Sequence, residues 1–331
     1  MGNRETGKSV NWETGKSGNR ETGKSGNRET GHQSTNLPVY QSTNILKGLE
    51  EEREKKPELA ETIVLHHALL LAQADAQVPL LRLEMELEEA RALLQQGIPL
   101  LQPEAMEVDW EVFAQLCEEI CQIVSQHKPE LGEELERIRA FLGSYPDKGS
   151  LLVHFDWAQC KDYLRDRPLR SQASGLKSQV ACDLRPVTCD LELLAFVLNN
   201  ALHPFLRAYA EALAPLVDDS LWYRGRCPVC GGQPDFALLE AGSGARHLLC
   251  SRCDSQWLFR RLECPFCGTA EPGKLIYYPS EDEVYRLYVC QVCNRYLKTI
   301  DLRQVARKVI LPVERVITVA MDVAAREAGY T

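Results

Sequence analysis

Four C-x-x-C pairs between residues 227 and 293 constrain this chain more than any other feature: Cys227/Cys230, Cys250/Cys253, Cys264/Cys267 and Cys290/Cys293. A two-residue gap lets both sulfurs of a pair reach one ion while the loop's backbone N–H groups point at the thiolates. Two such knuckles close a tetrahedral shell with metal–sulfur distances of about 2.3 Å. Four pairs therefore make two complete four-cysteine sites, and they use eight of the thirteen cysteines. The N-terminus shows neither an apolar signal core nor an Arg-rich amphipathic transit pattern, which predicts a cytoplasmic protein. Thiols stay reduced there, so metal binding rather than disulfide bonding is the expected use of the pairs.

The loops between consecutive pairs are 19, 10 and 22 residues long. The two longer ones read as hairpins: residues 236–240 and 246–249 around Gly242-Ser-Gly244, and residues 275–278 and 284–289 around a polar turn at 279–283. On this reading the first pair joins the second and the third joins the fourth, giving tandem rubredoxin-like or zinc-ribbon modules; a nested pairing stays open. Gly231 and Gly268, each following the second cysteine of a pair, suit a knuckle that turns through positive φ. Asn294 tolerates the same conformation, and Asp254 is a weaker substitute. A thioredoxin-like redox centre uses a single pair beside a βαβ unit, so four evenly organised pairs favour metal. His247 competes poorly as a ligand against four sulfurs and reads as a strand or surface residue.

Charge argues against nucleic acid as a partner. Residues 222–331 carry 15 Lys and Arg against 12 Asp and Glu, and eight thiolates with two divalent ions change that excess of three to about −1. Residues 33–221 are acidic, with 17 basic against 31 acidic side chains. Neither part has the basic footprint that a phosphate backbone requires. A membrane span is not expected either. The longest apolar stretch, 62–81, is interrupted by His66, His67, Gln73, Asp75 and Gln77, whereas a bilayer needs about 20 predominantly apolar residues.

The first 32 residues repeat an octad, with GNRETGKS at 2–9 and again at 18–25. These copies match the phosphate-loop pattern G-x-x-x-x-G-K-[ST], but that loop works only between a buried strand and a helix. Here the flanks are more polar repeat, so residues 1–44 are expected to be a disordered tail and linker, the product of a short tandem DNA repeat or of a start codon placed too early. Residues 45–219 read as a helical domain. Pro57 suits a first turn leading into Leu59, Ile63 and Leu70; a helix over 80–96 should stop at Gly97; and Asp109 should cap a helix over 110–127. Cys117 and Cys121 lie in the apolar stripe of that last helix and read as core thiols. Asp190–Ala214 reads as a helix that Pro204 should kink or break near His203. Cys160, Cys182 and Cys189 lack ligand spacing, and no H-E-x-x-H pairing is present.

The order of these features from 220 onward resembles one known family. Arg226-Cys-Pro-Val-Cys-Gly231 is followed by Leu248-Leu-Cys-Ser-Arg-Cys253, Trp257, Arg260-Arg261, Glu263-Cys-Pro-Phe-Cys-Gly268 and Cys290-Gln-Val-Cys-Asn-Arg-Tyr-Leu-Lys298, then a helix around Asp322 and a closing Gly329-Tyr330. This pattern is similar to that of the formate dehydrogenase accessory proteins, the FdhE family. The resemblance covers 220–330, is motif-poor over 45–219 and does not include the repeat. It implies an α+β chain with a helical N-terminal domain and two four-cysteine modules with a C-terminal helix in 220–331. It implies that Cys227, Cys230, Cys250, Cys253, Cys264, Cys267, Cys290 and Cys293 hold two ions, iron or zinc. It further implies a cytoplasmic, non-enzymatic maturation factor that binds the catalytic subunit of formate dehydrogenase. Asn294, where the family has a glycine, and the lack of an extended tail beyond Tyr330 are departures from the pattern. A zinc-ribbon adaptor in transcription or another complex is the alternative reading; an enzyme ranks third, since no nucleophile–base pair or carboxylate dyad is visible. Trp257, Phe259, Tyr277, Tyr278, Tyr285 and Tyr288, edged by Arg260, Arg261 and Arg286, are expected to leave some rings exposed for a client, with Trp257 the first candidate for the module's own core.

Overall fold

Local signals place the helix ends. The computed structural model describes residues 42–76, 78, 85–102, 105–144 and 190–331. Its helices ahead of the cysteine pairs are α1 (Ser42–Lys55), α2 (Ala60–Asp75), α3 (Leu87–Gln96), α4 (Trp110–His127), α5 (Gly132–Ser144) and α6 (Leu191–Leu213). Pro57 opens a 3-10 turn before α2. Asp109 caps α4, its Oδ1 accepting from the N–H groups of Glu111 and Val112 at 3.0 and 3.1 Å. Gly97 ends α3 at φ 76°, its N–H directed to the Leu93 and Leu94 carbonyls. The α4 stripe, Cys117 and Cys121 included, is buried as its spacing predicts. The octad repeat, Cys160, Cys182 and Cys189 lie outside the described residues.

One helix departs from expectation: α6 runs through Pro204 without breaking. Proline has no N–H for the carbonyl four residues back, which is that of Asn200. A side chain from another helix takes that acceptor: Gln73 Nε2 on α2 donates to the Asn200 carbonyl at 3.0 Å and lies 3.1 Å from Asn200 Oδ1. Tertiary contact thus removes the penalty that would otherwise end the helix.

The cysteine-rich region forms one six-stranded sheet. Its strands are β1 (Pro234–Leu239), β2 (Arg246–Cys250), β3 (Gln256–Phe259), β4 (Leu275–Pro279), β5 (Tyr285–Cys290) and β6 (Tyr296–Asp301), in the order β3-β2-β1-β6-β5-β4. Each expected hairpin is present and gains a third antiparallel strand after its second cysteine pair. The two ribbons are also fused side by side. β1 and β6 pair in parallel, from Phe236 opposite Lys298 to Leu239 opposite Asp301. A three-stranded ribbon leaves backbone donors and acceptors on both edges, and this pairing satisfies one edge of each.

After β6 the chain turns back as α7 (Leu311–Ile317) and α8 (Val319–Glu327). α7 lies between the two halves of the molecule. Val313 and Ile317 pack with Ile45, Leu49 and Ile63 of the helices, and Leu311 packs with Phe236, Leu249 and Ile300 of the sheet. A third and larger apolar cluster runs without a break from Leu69 through Phe205 to Trp222, Trp257 and Leu297. Helices and ribbons therefore share a core. No described helix is long and apolar enough to cross a membrane.

Candidate metal centres

Each ribbon brings its two knuckles to one end of its hairpin, and the eight sulfurs converge as two groups: Cys227, Cys230, Cys250 and Cys253, and Cys264, Cys267, Cys290 and Cys293. Within each group the ligand atoms lie within 4.8 Å of one another. The shortest separations are 3.7 Å for Cys227–Cys253, 3.5 Å for Cys230–Cys250, 3.7 Å for Cys264–Cys293 and 3.6 Å for Cys267–Cys290. A tetrahedral shell with metal–sulfur bonds of about 2.3 Å has edges of about 3.8 Å. The sulfurs thus already stand at the corners such an ion needs. Consecutive pairs, not nested ones, come together.

The knuckles repeat one geometry. The N–H groups of Cys227, Cys250, Cys264 and Cys290 each donate to the carbonyl five residues on, at 2.8–2.9 Å. Gly231 (φ 70°), Asp254 (57°), Gly268 (73°) and Asn294 (55°) all turn through the left-handed region, as their places after the second cysteines predict. Gly232 serves a different need, because a Cβ there would lie 2.9 Å from the Cys250 sulfur and 3.3 Å from that of Cys230. Only a bare backbone passes so close to the ligands.

The two centres differ in their surroundings. The first is held by the helical half: the N–H groups of Leu100 and Leu101 donate to the carbonyls of Pro228 and Val229, at 2.9 and 2.8 Å. Asp254 receives the His203 ring Nε2 from α6 at 3.1 Å and the Arg315 guanidinium from α7 at 2.9 Å. Arg315 also donates to the Cys250 carbonyl at 2.9 Å and pairs with Asp235 at 3.1 Å. The His203 Nδ1 faces Gln73 Oε1 at 3.2 Å, so a polar chain runs from the proline gap in α6 to the first centre. The second centre stands nearer solvent, with Cys267 exposed and the apolar side chains of Leu262 and Val292 uncovered beside it. The N–H of Thr331 donates to the Asn294 carbonyl at 2.8 Å, closing the C-terminus onto the last knuckle.

Thiol chemistry follows the same geometry. Burial pushes Cys227 and Cys253 upward, while hydrogen bonds from the neighbouring thiols hold Cys230 well below the ordinary range. In the second group burial raises Cys264 and takes Cys293 to about 11. At Cys290 burial acts upward, but the N–H groups of Cys293 and Val292 and the adjacent thiols outweigh it and lower that group. Four thiols crowded in this way shed their protons as a divalent ion arrives.

Other candidates from the sequence are placed elsewhere. His247 reaches neither sulfur group and faces Glu240 at 3.1 Å. Cys117 and Cys121 join no metal-like cluster among the described residues, and burial takes Cys121 to about 11. The exposed aromatic surface does not form. Trp257, Phe259 and Tyr288 are core residues, the Tyr285 hydroxyl donates to Glu314 at 2.5 Å, and Arg286 pairs with the buried Asp301 at 2.5 Å while stacking over Tyr277. The shared sheet and the returning helices provide burial that an isolated ribbon lacks. The anchoring role of Gln73, His203, Asp254 and Arg315 was missed from sequence. Its one legible signal is Pro204, which obliges some donor to meet the Asn200 carbonyl.

Helices packed on a sheet made of two fused ribbons, each with a four-cysteine group, define a two-centre zinc-ribbon-like protein. The family model described as "FdhE, central domain" matches residues 226–261, the first ribbon. A curated relative from Aquifex aeolicus (strain VF5), "Protein FdhE homolog", is 34% identical over 143 residues, covering 42% of this chain and 50% of the relative. "Protein FdhE" of Escherichia coli O127:H6 is 30% identical over 111 residues, covering 32% of this chain and 35% of the relative. The matched part thus spans half or less of these relatives' length. The crystal structure of the FdhE protein from Pseudomonas aeruginosa shares the fold, with a TM-score of 0.56 and 20% identity over 88% of this chain and 92% of that one. All three comparisons agree on FdhE proteins as what this chain is similar to.

Proposed function

We propose that this chain is an accessory factor required for formate dehydrogenase activity, that it binds the catalytic subunit of that enzyme during assembly in the cytoplasm, and that it is not itself an enzyme. The observation that carries this reading is the FdhE central-domain match at 226–261, which falls on a complete C-x-x-C ribbon rather than on the less distinctive helices. Cys227, Cys230, Cys250 and Cys253 hold one ion and Cys264, Cys267, Cys290 and Cys293 a second, each iron or zinc, since an all-thiolate tetrahedron suits both. Bound metal supplies folding free energy to its ribbon, about 10–16 kcal/mol in small zinc modules. The working division of the chain is a tail and linker ahead of α1, a helical domain from Ser42 to about residue 219 and the two metal modules over 220–331.

The test uses cells that make formate dehydrogenase but lack their own accessory factor. The full chain, tagged and expressed there, is expected to co-purify with the catalytic subunit and to restore formate oxidation. A folded, metal-loaded protein that does neither refutes the proposal.

A further inference from the structure

Arg246 is a charge buried within the sheet. It sits on β2 of the first ribbon and is fully buried. One terminal nitrogen donates to the carbonyls of Arg260 and Glu263, the latter immediately before Cys264. The Nε and the other terminal nitrogen are buried without a hydrogen-bond partner. Its guanidinium lies over the rings of Phe259 and Tyr288, 5.2 and 5.9 Å from their centroids. Among the described residues it makes no ion pair; the nearby Glu263 carboxylate is engaged by Arg260 at 3.0 Å. It borders a gap, too small for water, that it shares with Cys264, Cys290, Leu275, Leu297 and a second arginine, Arg295, which also donates to Gln233.

A buried cation without a counter-charge is costly, and the cost falls when an anion stands beside it. A divalent ion in four thiolates carries a net charge of −2. We propose that Arg246 is the counter-charge of the second tetrathiolate centre, reaching across from the first ribbon to stabilise the metal–thiolate anion formed by Cys264, Cys267, Cys290 and Cys293. A guanidinium keeps its charge at neutral pH even when buried. The first centre is built differently. Its arginine, Arg315, is paired with two carboxylates, those of Asp235 and Asp254. The proposal rests on the two cysteine groups being metal sites.

Iron is the probe that reads this charge. When Fe(III) in four thiolates takes one electron from a chemical reductant, the charge of the centre goes from −1 to −2, and a fixed cation beside it favours the product. Arg246 therefore raises the reduction potential of the second centre and leaves the first unaffected.

The experiment is a potentiometric titration of the full chain loaded with iron, followed by the Fe(III)–thiolate absorption, with Cys267→Ser identifying the step that belongs to the second centre. Arg246→Gln and Arg246→Met should lower that step about tenfold in its redox equilibrium constant, or about 59 mV for a one-electron couple. Arg246→Lys, which keeps the charge, should stay within about twofold of the parent, and the first-centre step should not move in any variant. Neutral variants that keep both irons and titrate like the parent overturn the proposal, as does a lysine variant shifted as far as they are. If neither neutral variant holds iron at the second centre while the lysine variant does, occupancy itself shows the requirement for charge. If none of the three holds it, the guanidinium's hydrogen bonds are what matter and the proposal fails. A parent protein that takes up no iron at the second centre overturns this inference, and one that takes up neither iron nor zinc there refutes the ligand assignment as well.

Discussion

The proline gap in α6 offers a test in which the structure dictates a coupling between residues far apart in sequence. Gln73 makes three polar contacts there: the Asn200 carbonyl at 3.0 Å, Asn200 Oδ1 at 3.1 Å and His203 Nδ1 at 3.2 Å. Gln73→Leu removes all three while keeping similar bulk. Each buried group left unsatisfied costs about 1–3 kcal/mol. Asn200 and His203 are half-buried and water can reach part of them, which puts the expected loss near the low end, about 2 kcal/mol in total. Pro204→Ala acts on the same carbonyl by restoring a helix N–H for it, and by propensity alone an interior proline costs about 3 kcal/mol relative to alanine. In the Pro204→Ala background Gln73 has less to satisfy, so its replacement should cost about 1 kcal/mol less than in the parent. The assay is a double-mutant cycle by urea denaturation of protein kept saturated with metal, so that ion release does not dominate the transition. Additivity within about 0.5 kcal/mol would refute the reasoning: it would mean that the Asn200 carbonyl is satisfied without Gln73.

Three further outcomes are expected. Protein purified without chelator should carry two ions, and Cys227→Ser should release one while the ion bound by Cys264, Cys267, Cys290 and Cys293 stays, as metal analysis of each variant will show; simultaneous loss of both would mean that the β1–β6 pairing makes the centres one folding unit. Asp254→Gly should keep the first ion, since glycine suits φ 57°, yet detach His203 and Arg315 and speed proteolysis between helices and sheet; Asn294→Gly, at an equivalent but exposed knuckle, should change stability by about 1 kcal/mol or less. Burial, with Arg315 and Lys298 nearby, lowers His66 to about 4. The folded state then binds fewer protons than the unfolded state, and stability should fall as pH drops from about 6.5 to 4, by at most about 3 kcal/mol; a His66→Gln variant whose stability follows the parent's at every pH would contradict this.

The features legible in the sequence depend on few, nearby residues. Asp109 and Gly97 mark helix ends because a cap is made within one turn of the chain, and the four knuckles are readable because a C-x-x-C loop places its own sulfurs and its own positive-φ residue. The pairing of first with second and third with fourth knuckles follows from hairpin length. All eight proposed ligands, and the hairpins between them, could therefore be named before any coordinates.

What the fold alone decided lies wherever distant segments meet. Nothing in β1 or β6 announces a parallel partner, since each reads as an ordinary ribbon strand until both edges stand side by side. Pro204 reads as a break until Gln73 arrives from another helix. Some of the six rings from Trp257 to Tyr288 are expected to be exposed until α7 and the neighbouring ribbon cover Tyr285 and Tyr288. Arg246 reads as a strand residue near a turn, and only the fused sheet carries its charge to the other ribbon's sulfurs. Sequence by itself determined which cysteines gather into each four-sulfur group, because such a group is built from short loops. The tertiary structure decided which charges and helices surround each centre, because burial and hydrogen-bond satisfaction depend on neighbours that chain order does not specify.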